Sequence, residues 1–417
     1  MSLARRGVSF VSFVSFVVSV LPSLVAAQTL TQRGFVDTRG VLFPQAAPND
    51  SERLVVDVLA RDEVFLKPAS WVQFGAGLDA RANTHDQVER SWRLDVRDRH
   101  PLRPSLSIRR LSGTLTHGPV SVEVGKQFIR WGKADIVTPT DHFAPRDFLN
   151  VVDSEFLAVI GTRAAVQWRR ETLEAVWVPY FTPSRLPLLD QRWTVVPSTD
   201  EPLTLIDASG ALPKRAQSGI RWARMADRYE MSLSYFNGFN HLPDIDVKPG
   251  SVPFEVEIIK TYPALKSYGV DAAIPTDWLT VKGELAYSTS STPTSDEYII
   301  YVVQLERQTG EWLIVGGYAG EVVTEHRAEF TFAPDRGLTR SFVARASYTI
   351  DANRSASVET AVRQTGRGAY AKGEYSQARG QHWRTTMTGA IIRGQADDFL
   401  GQYRRNSHVT LSLRYSF

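Results

Sequence analysis

The chain has 417 residues, 22% of them charged and 43% apolar, with a mean hydropathy of −0.21 and no cysteine. So polar a chain cannot be a bundle of membrane-spanning helices, each of which needs about 20 mostly apolar residues. The lack of cysteine also removes disulfide frameworks, thiol nucleophiles and cysteine-held zinc or iron–sulfur centres. The formal charge of +3 and a pI of about 9.0 invite a nucleic-acid reading, which the N-terminus tests first.

Arg5 and Arg6 precede an apolar run over 8–20 broken only by small serines, and Val25-Ala26-Ala27 then places small residues before Gln28. This layout predicts a secretory signal peptide over 1–27, too short and wrongly flanked for a spanning helix, followed by one domain over 28–417. Arg5 and Arg6 leave with the peptide and no acidic residue does. The 48 Lys and Arg less these two leave 46 against 45 Asp and Glu, a mature charge of +1. The basic surplus is therefore mostly export signal, and no nucleic-acid partner is expected.

Beyond residue 28 the chain reads as strands. A first strand is expected near 34–43, and the stretch 53–66 reads either as a second strand or as a periplasmic helix. Val72, Phe74, Ala76, Leu78, Ala80 and Ala82 then alternate with Gln73, Gly75, Gly77, Asp79 and Arg81. The same period of two, the spacing of a strand with different surroundings on its two faces, recurs at 229–235, 279–287 and 342–350. Short turns are expected at 67–70, 117–119, 171–172, 226–227, 275–277, 308–310, 351–353 and 378–380. Between them lie long connections rich in Pro, Asp and Gly, including 83–103, 132–159, 182–215, 238–266 and 394–406. Strict alternation of short turns with long loops is the connectivity of an outer-membrane barrel. Two strands per turn, plus one at each end, give 18 strands, or 16 if 53–66 is helical. Trp71, Trp168, Trp177, Trp222, Trp278, Trp312 and Trp383 fall near the expected strand ends, where interfacial girdles sit.

The last segment is the clearest. Val409, Leu411, Leu413, Tyr415 and Phe417 share one face, and Thr410, Ser412, Arg414 and Ser416 the other. Ending on an aromatic residue after alternating apolar positions, it resembles the C-terminal signal by which the assembly machinery recognises Gram-negative outer-membrane β-barrel proteins. The resemblance implies an all-β, single transmembrane antiparallel barrel in the cell outer membrane, with that machinery and membrane lipid as its partners.

Motifs for chemistry are missing. The eight histidines are scattered, without the H-E-x-x-H spacing of a zinc site. There is no P-loop and no G-x-S-x-G elbow, and Gly75-Ala76-Gly77 falls within a strand, where small residues suit barrel curvature. Neither an enzyme nor a bound cofactor is expected.

One segment stands apart. Gly125-Lys126-Gln127, Trp131-Gly132 and Pro139-Thr140-Asp141 lead through His142 and Phe143 to Arg146, Asp147 and Phe148. The order G-K-Q, W-G and P-x-D resembles a region of porin-like barrels and, more loosely, of alginate-export-type porins. Its prolines and phenylalanines suit packing inside a lumen, where Lys133, Asp135, Asp141, His142, Arg146 and Asp147 would present both charge signs at a constriction. The alternative is an extracellular loop stiffened by Arg–Asp pairs. Alternation also points Arg61, Arg81, Arg109, Arg163, Arg169, Arg221, Lys282, Arg345, Arg363, Arg384 and Arg414 inward. Asp57, Glu63, Asp79, Glu123, Glu174, Glu230, Asp271, Glu284 and Glu359 face them. So even a balance predicts no lumen-wide anion preference, and salt-bridge ladders account for most of these residues. Two functions fit: a porin-like channel passing small polar or anionic solutes inward or outward, or a plugged structural or adhesion barrel that binds an external partner through its loops.

Overall fold

The computed structural model describes residues 29–195, 204–208, 210–252, 254–327, 333–334 and 336–417; the expected signal peptide lies outside them. Among the described residues, 18 long strands run in chain order. They are β1 (Thr29–Leu42), β2 (Leu54–Ala69), β3 (Val72–Asn83), β4 (Leu106–His117), β5 (Val120–Gln127), β6 (Val159–Trp168), β7 (Glu171–Val178), β8 (Gln217–Met225) and β9 (Glu230–Phe239). The second half comprises β10 (Ala264–Pro275), β11 (Thr280–Thr289), β12 (Glu297–Thr309), β13 (Trp312–Glu325), β14 (Ser341–Asp351), β15 (Arg354–Arg363), β16 (Gly368–Arg379), β17 (Trp383–Gly394) and β18 (His408–Ser416).

Each strand pairs antiparallel with its neighbour in sequence, and β18 returns to β1, from Phe35↔Ser416 to Leu42↔Val409. Closure removes the exposed edges that hydrocarbon does not tolerate. All of the stretch 53–66 but Arg53 belongs to β2, which settles the count at 18 rather than 16. Seven of the eight short turns overlap their expected positions, three of them at a single residue: Ser70, Gly310 and Gly380. The one expected at 171–172 lies two residues earlier, at Arg169-Arg170, because β6 ends at Trp168 and β7 begins at Glu171. Arg169 therefore stands in the turn at φ 51° rather than on the lumen wall.

Along the wall, apolar side chains face outward. In β18 and the residue that follows it, Val409, Leu411, Leu413, Tyr415 and Phe417 are 40, 56, 47, 37 and 51% exposed on the protein alone, while Arg414 turns inward to Asp37. A band of this kind, continued by Val303, Phe342, Val358 and Ile391, is stable only in contact with an apolar medium. Trp71, Trp168, Trp278, Trp312 and Trp383 gather at the short-turn end; Trp177 marks the opposite one.

At the long-loop end, Thr204–Asp207, Asp244–Pro249 and Glu255–Thr261 form a separate three-stranded sheet. The long connections also fold inward. Val151, Trp193, Leu400 and Tyr403 of three loops pack against the inward faces of Val343, Ala361, Tyr370, Ala390 and Ile392, so part of the lumen is an apolar core.

Candidate functional site

The connection 128–158 between β5 and β6 enters the lumen and forms a shelf across it. Two glycines of the G-K-Q and W-G pattern make the entry. Gly125 has φ 124°, and a Cβ there would lie 2.2 Å from the Leu111 carbonyl oxygen; a Cβ on Gly132 would lie 2.8 Å from Cβ of Thr138. Ile129, Trp131 and Phe143 then bury themselves against Val176, Val178, Phe236 and Leu265 of the wall.

The outgoing arm is held by acidic residues of the wall. Trp131 Nε1 donates to Glu174 (2.5 Å), and Lys133 Nζ reaches Glu230 and Asp271 at 2.9 and 3.3 Å. Glu284 of β11 accepts four bonds: from the N–H groups of Lys133 and Ala134 (3.0 Å each) and from the N–H and hydroxyl of Thr140 (2.8 Å each). Asp141 folds back to accept the N–H groups of Trp131 and Gly132, both at 2.7 Å. At the far point Asp135 meets Lys282 (3.1 Å) and Gln304 of β12, while Ala134 and Val137 pack on Tyr298, Ile300 and Val302.

The return arm reverses the polarity. Asp147 lies buried between Arg103 (2.8 Å) and Arg185 (3.2 Å), whose charges hold its carboxyl well below the usual carboxylate range against the cost of burial. Asp98 links Arg185 to Lys126 of β5. Asp153 approaches Arg39 (3.1 Å) and Lys372 (3.8 Å), and Glu155 approaches Arg81 (2.8 Å) and Arg61 (3.9 Å).

These contacts sort the six residues singled out for a constriction. The segment enters the lumen, and Asp141, His142, Arg146 and Asp147 make contacts that shape and attach the shelf. His142 stacks on Phe236, and burial pushes its imidazole down to about 4, so it is neutral at ordinary pH. Arg146 and Arg130 both lie over the Phe156 ring, at 4.2 and 4.1 Å from its centre. Lys133 is turned toward the wall, while Asp135, Asp141, His142 and Arg146 also border open space.

That open space is a cavity of about 340 Å³ between the shelf and the wall from β10 to β16. Its charged lining is Asp135, Asp141, Arg146 and Asp153 on the shelf and Arg345, Glu359 and Lys372 on the barrel. Arg345 pairs with Glu359 through Nε at 2.8 Å. Apolar side chains, among them Ile136, Leu242, Ile300, Leu338 and Phe399, share the rest of the lining with polar ones such as Ser154, Asn240 and Ser288.

The other inward cations share the wall with aromatic rings. Arg61 and Arg414 lie 5.5 and 4.2 Å from the Phe35 ring; Arg109 and Arg110 lie 4.7 and 5.6 Å from that of Phe128. Arg163 pairs with Glu174, Arg221 with Asp271 and Arg363 with Asp398, while Arg384 donates to the Ser376 hydroxyl. Arg110 escapes a strict alternation, which would turn it to lipid. The register of β3 and β4 jumps from Gly77↔Arg110 to Leu78↔Ile108, and this bulge leaves Arg109 unpaired and brings both arginines to Phe128. Arg103 and Arg185 lie in long loops, where no periodicity could mark them.

No protein-family model matches the chain, and no curated protein matches it in sequence. Solved structures do match. A BenF-like porin of Pseudomonas fluorescens aligns with a TM-score of 0.56 at 9% identity over 94% of this chain and 98% of its own. OccAB4 of Acinetobacter baumannii gives 0.55 at 11% over 94% and 99%, and OpdQ of Pseudomonas aeruginosa 0.54 at 10% over 94% and 99%. At such identities the likeness is one of fold, and the fold is that of an outer-membrane porin: a closed barrel of 18 antiparallel strands.

Proposed function

We propose that the chain is an outer-membrane channel for small solutes, that it favours anions, and that its selectivity is set where Arg345 and Lys372 face Asp135 and Asp153. The observation that carries this reading is the cavity beside the shelf, where the barrel cations Arg345 and Lys372 line the same space as the loop carboxylates Asp135 and Asp153, with Arg146 adding a third cation from the shelf. The field of these charges orients a charged solute, and low-dielectric walls strengthen it. The remaining wall adds cations toward the short-turn end. Arg384 has no carboxylate within ion-pair distance among the described residues, and Arg414 is shared with a single acid, Asp37. Lining that is half apolar suits solutes carrying one anionic group on a compact carbon frame. The porin fold of the neighbours and the outward apolar band support the outer-membrane setting.

Planar-bilayer recording under a KCl gradient tests the proposal. The expected reversal potential lies toward that of chloride and moves toward that of potassium in Arg345→Ala and Lys372→Ala. A barrel silent under all conditions would instead favour the plugged adhesion reading, which draws support from the apolar packing of Val151, Trp193, Leu400 and Tyr403 inside the lumen.

A further inference from the structure

Near the long-loop end, on the outer surface, lies a feature that the channel does not use. A shallow groove of about 610 Å³ runs between the 43–53 loop and the β17–β18 connection, lined by Pro44, Gln45, Ile391, Arg393, Arg404 and Arg405. Arg393 continues the lipid-facing file of β17, in which Met387 and Ile391 are 55 and 53% exposed. Arg404 and Arg405 end the short 3-10 helix Gly401–Asn406. All three arginines are exposed. Among the described residues none has a carboxylate within ion-pair distance, and Arg404 donates only to the Gly401 carbonyl. The acids of the same connection are already engaged, Asp397 with Arg367 and Asp398 with Arg363.

Three uncompensated cations in one groove repel each other unless an external anion joins them. We infer that this groove binds the phosphate of a glycolipid headgroup in the outer leaflet. Guanidinium forks match phosphate oxygens bidentately, and a basic cluster at the end of an apolar band is where an anionic lipid presents its charge. Position selects lipid over free phosphate. Ile391 lies two residues below Arg393 on the same outward file, and Leu42 and Val409 of the adjoining strands are 52 and 40% exposed on the outward face. A ligand with acyl chains thus meets apolar wall and cations together. The inference rests on the outer-membrane setting and not on an open pore.

Native mass spectrometry of the detergent-purified barrel with added bis-phosphorylated lipid A is the test, with the triple variant Arg393→Ala, Arg404→Ala, Arg405→Ala beside it. Each cation at a charged lipid surface contributes a factor of about five, so the triple variant is expected to bind on the order of 100-fold more weakly. The corresponding triple lysine variant keeps most of the affinity, and dephosphorylated lipid A binds wild type no better than the alanine variant binds the phosphorylated form. Heat-modifiable gel mobility verifies that each variant is folded. Equal lipid A binding by the folded alanine variant would overturn the inference, as would equal binding of the dephosphorylated lipid. Displacement of lipid A by inorganic phosphate would make this a free-anion site and overturn the lipid assignment. Loss of binding with unchanged channel conductance separates this site from the pore.

Discussion

The two arms of the inner loop are attached by opposite chemistry. Along the outgoing arm the wall supplies the acids, Glu174, Glu230, Asp271 and Glu284, and the loop supplies mainly neutral N–H and O–H donors. Along the return arm the loop supplies the acids, Asp147, Asp153 and Glu155, and Arg103, Arg185, Arg39, Arg81 and Lys372 receive them. The difference reveals a segregation that a count of lumen charges hides. From β7 to β12 the wall is mainly acidic; from β14 through β18 to β4 it is mainly basic. The loop neutralises each side with what that side lacks, leaving the rim of Arg345 and Lys372 as the stretch of basic wall that borders the cavity.

Breaking the return arm has the largest expected effect. Asp147→Ala leaves Arg103 buried without its carboxylate and Arg185 with Asp98 alone, and removing one partner of a buried ion pair costs about 3–5 kcal/mol. Since these arginines come from two other long loops, three loops should loosen together, giving faster proteolysis at the long-loop end while the barrel keeps its heat-modifiable mobility. Cleavage at the wild-type rate would show that the ion network does not hold the loops.

Breaking the outgoing arm comes next. Glu284→Ala removes one acceptor from four donors, and a buried donor left unsatisfied costs about 1–3 kcal/mol, although water entering the lumen reclaims part of that. The expected result is higher single-channel conductance with more noise, since the arm narrows the lumen. Glu284→Gln, which retains acceptor capacity at one oxygen, should fall between the two. Conductance indistinguishable from wild type in both variants would remove Glu284 from this role.

Acid sharpens the contrast between the arms. A carboxyl whose folded pKa is depressed stabilises fully above its ordinary pKa of about 4 and loses that contribution as pH falls through the lowered value. Asp147 is such a group, so its hold on the return arm persists at pH 4 and fails only in stronger acid. The protease resistance of the long loops should therefore be the same at pH 7 and pH 4, read with an acid-active protease. In Asp147→Asn it should already be lost at pH 7. A wild-type loss centred between pH 6 and pH 5 would contradict the assignment.

How far the sequence foretold this arrangement depends on the element. Strands were legible because lipid and lumen impose a strict period of two, and turns because they are short and rich in Gly, Asp and Pro; β2 was ambiguous because Asp57, Asp62 and Glu63 fall on both faces of its register. The inward turn of the 128–158 segment was legible in its phenylalanines and prolines. The roles of its charges were not. Asp141 and Asp147 look like exposed loop acids until the segment folds the backbone of Trp131 back to the first and other loops bring Arg103 and Arg185 to the second. Nor could a period of two find Arg110, since one inserted residue in β4 reverses the face that follows.

The smallest expected effect lies at the rim itself, and it discriminates between a segregated lumen and a merely balanced one. Arg345 remains tied to Glu359, and Lys372 to Asp153 at 3.8 Å, so each cation is partly neutralised, and partly exposed pairs contribute little to stability. Arg345→Ala and Lys372→Ala should leave the barrel folded and the conductance near wild type. Their effect should appear in selectivity, as a shift of reversal potential that grows at low ionic strength, where the Debye length exceeds the gap. Asp135→Asn, across the same gap, should shift it the opposite way. If charge balance over the whole lumen governed selectivity, neutralising Arg384 or Arg414 would shift the potential as much as neutralising Arg345. If the field across the rim governs it, those two distant substitutions should do less, and the difference between the two sets measures how strongly the shelf focuses the basic wall.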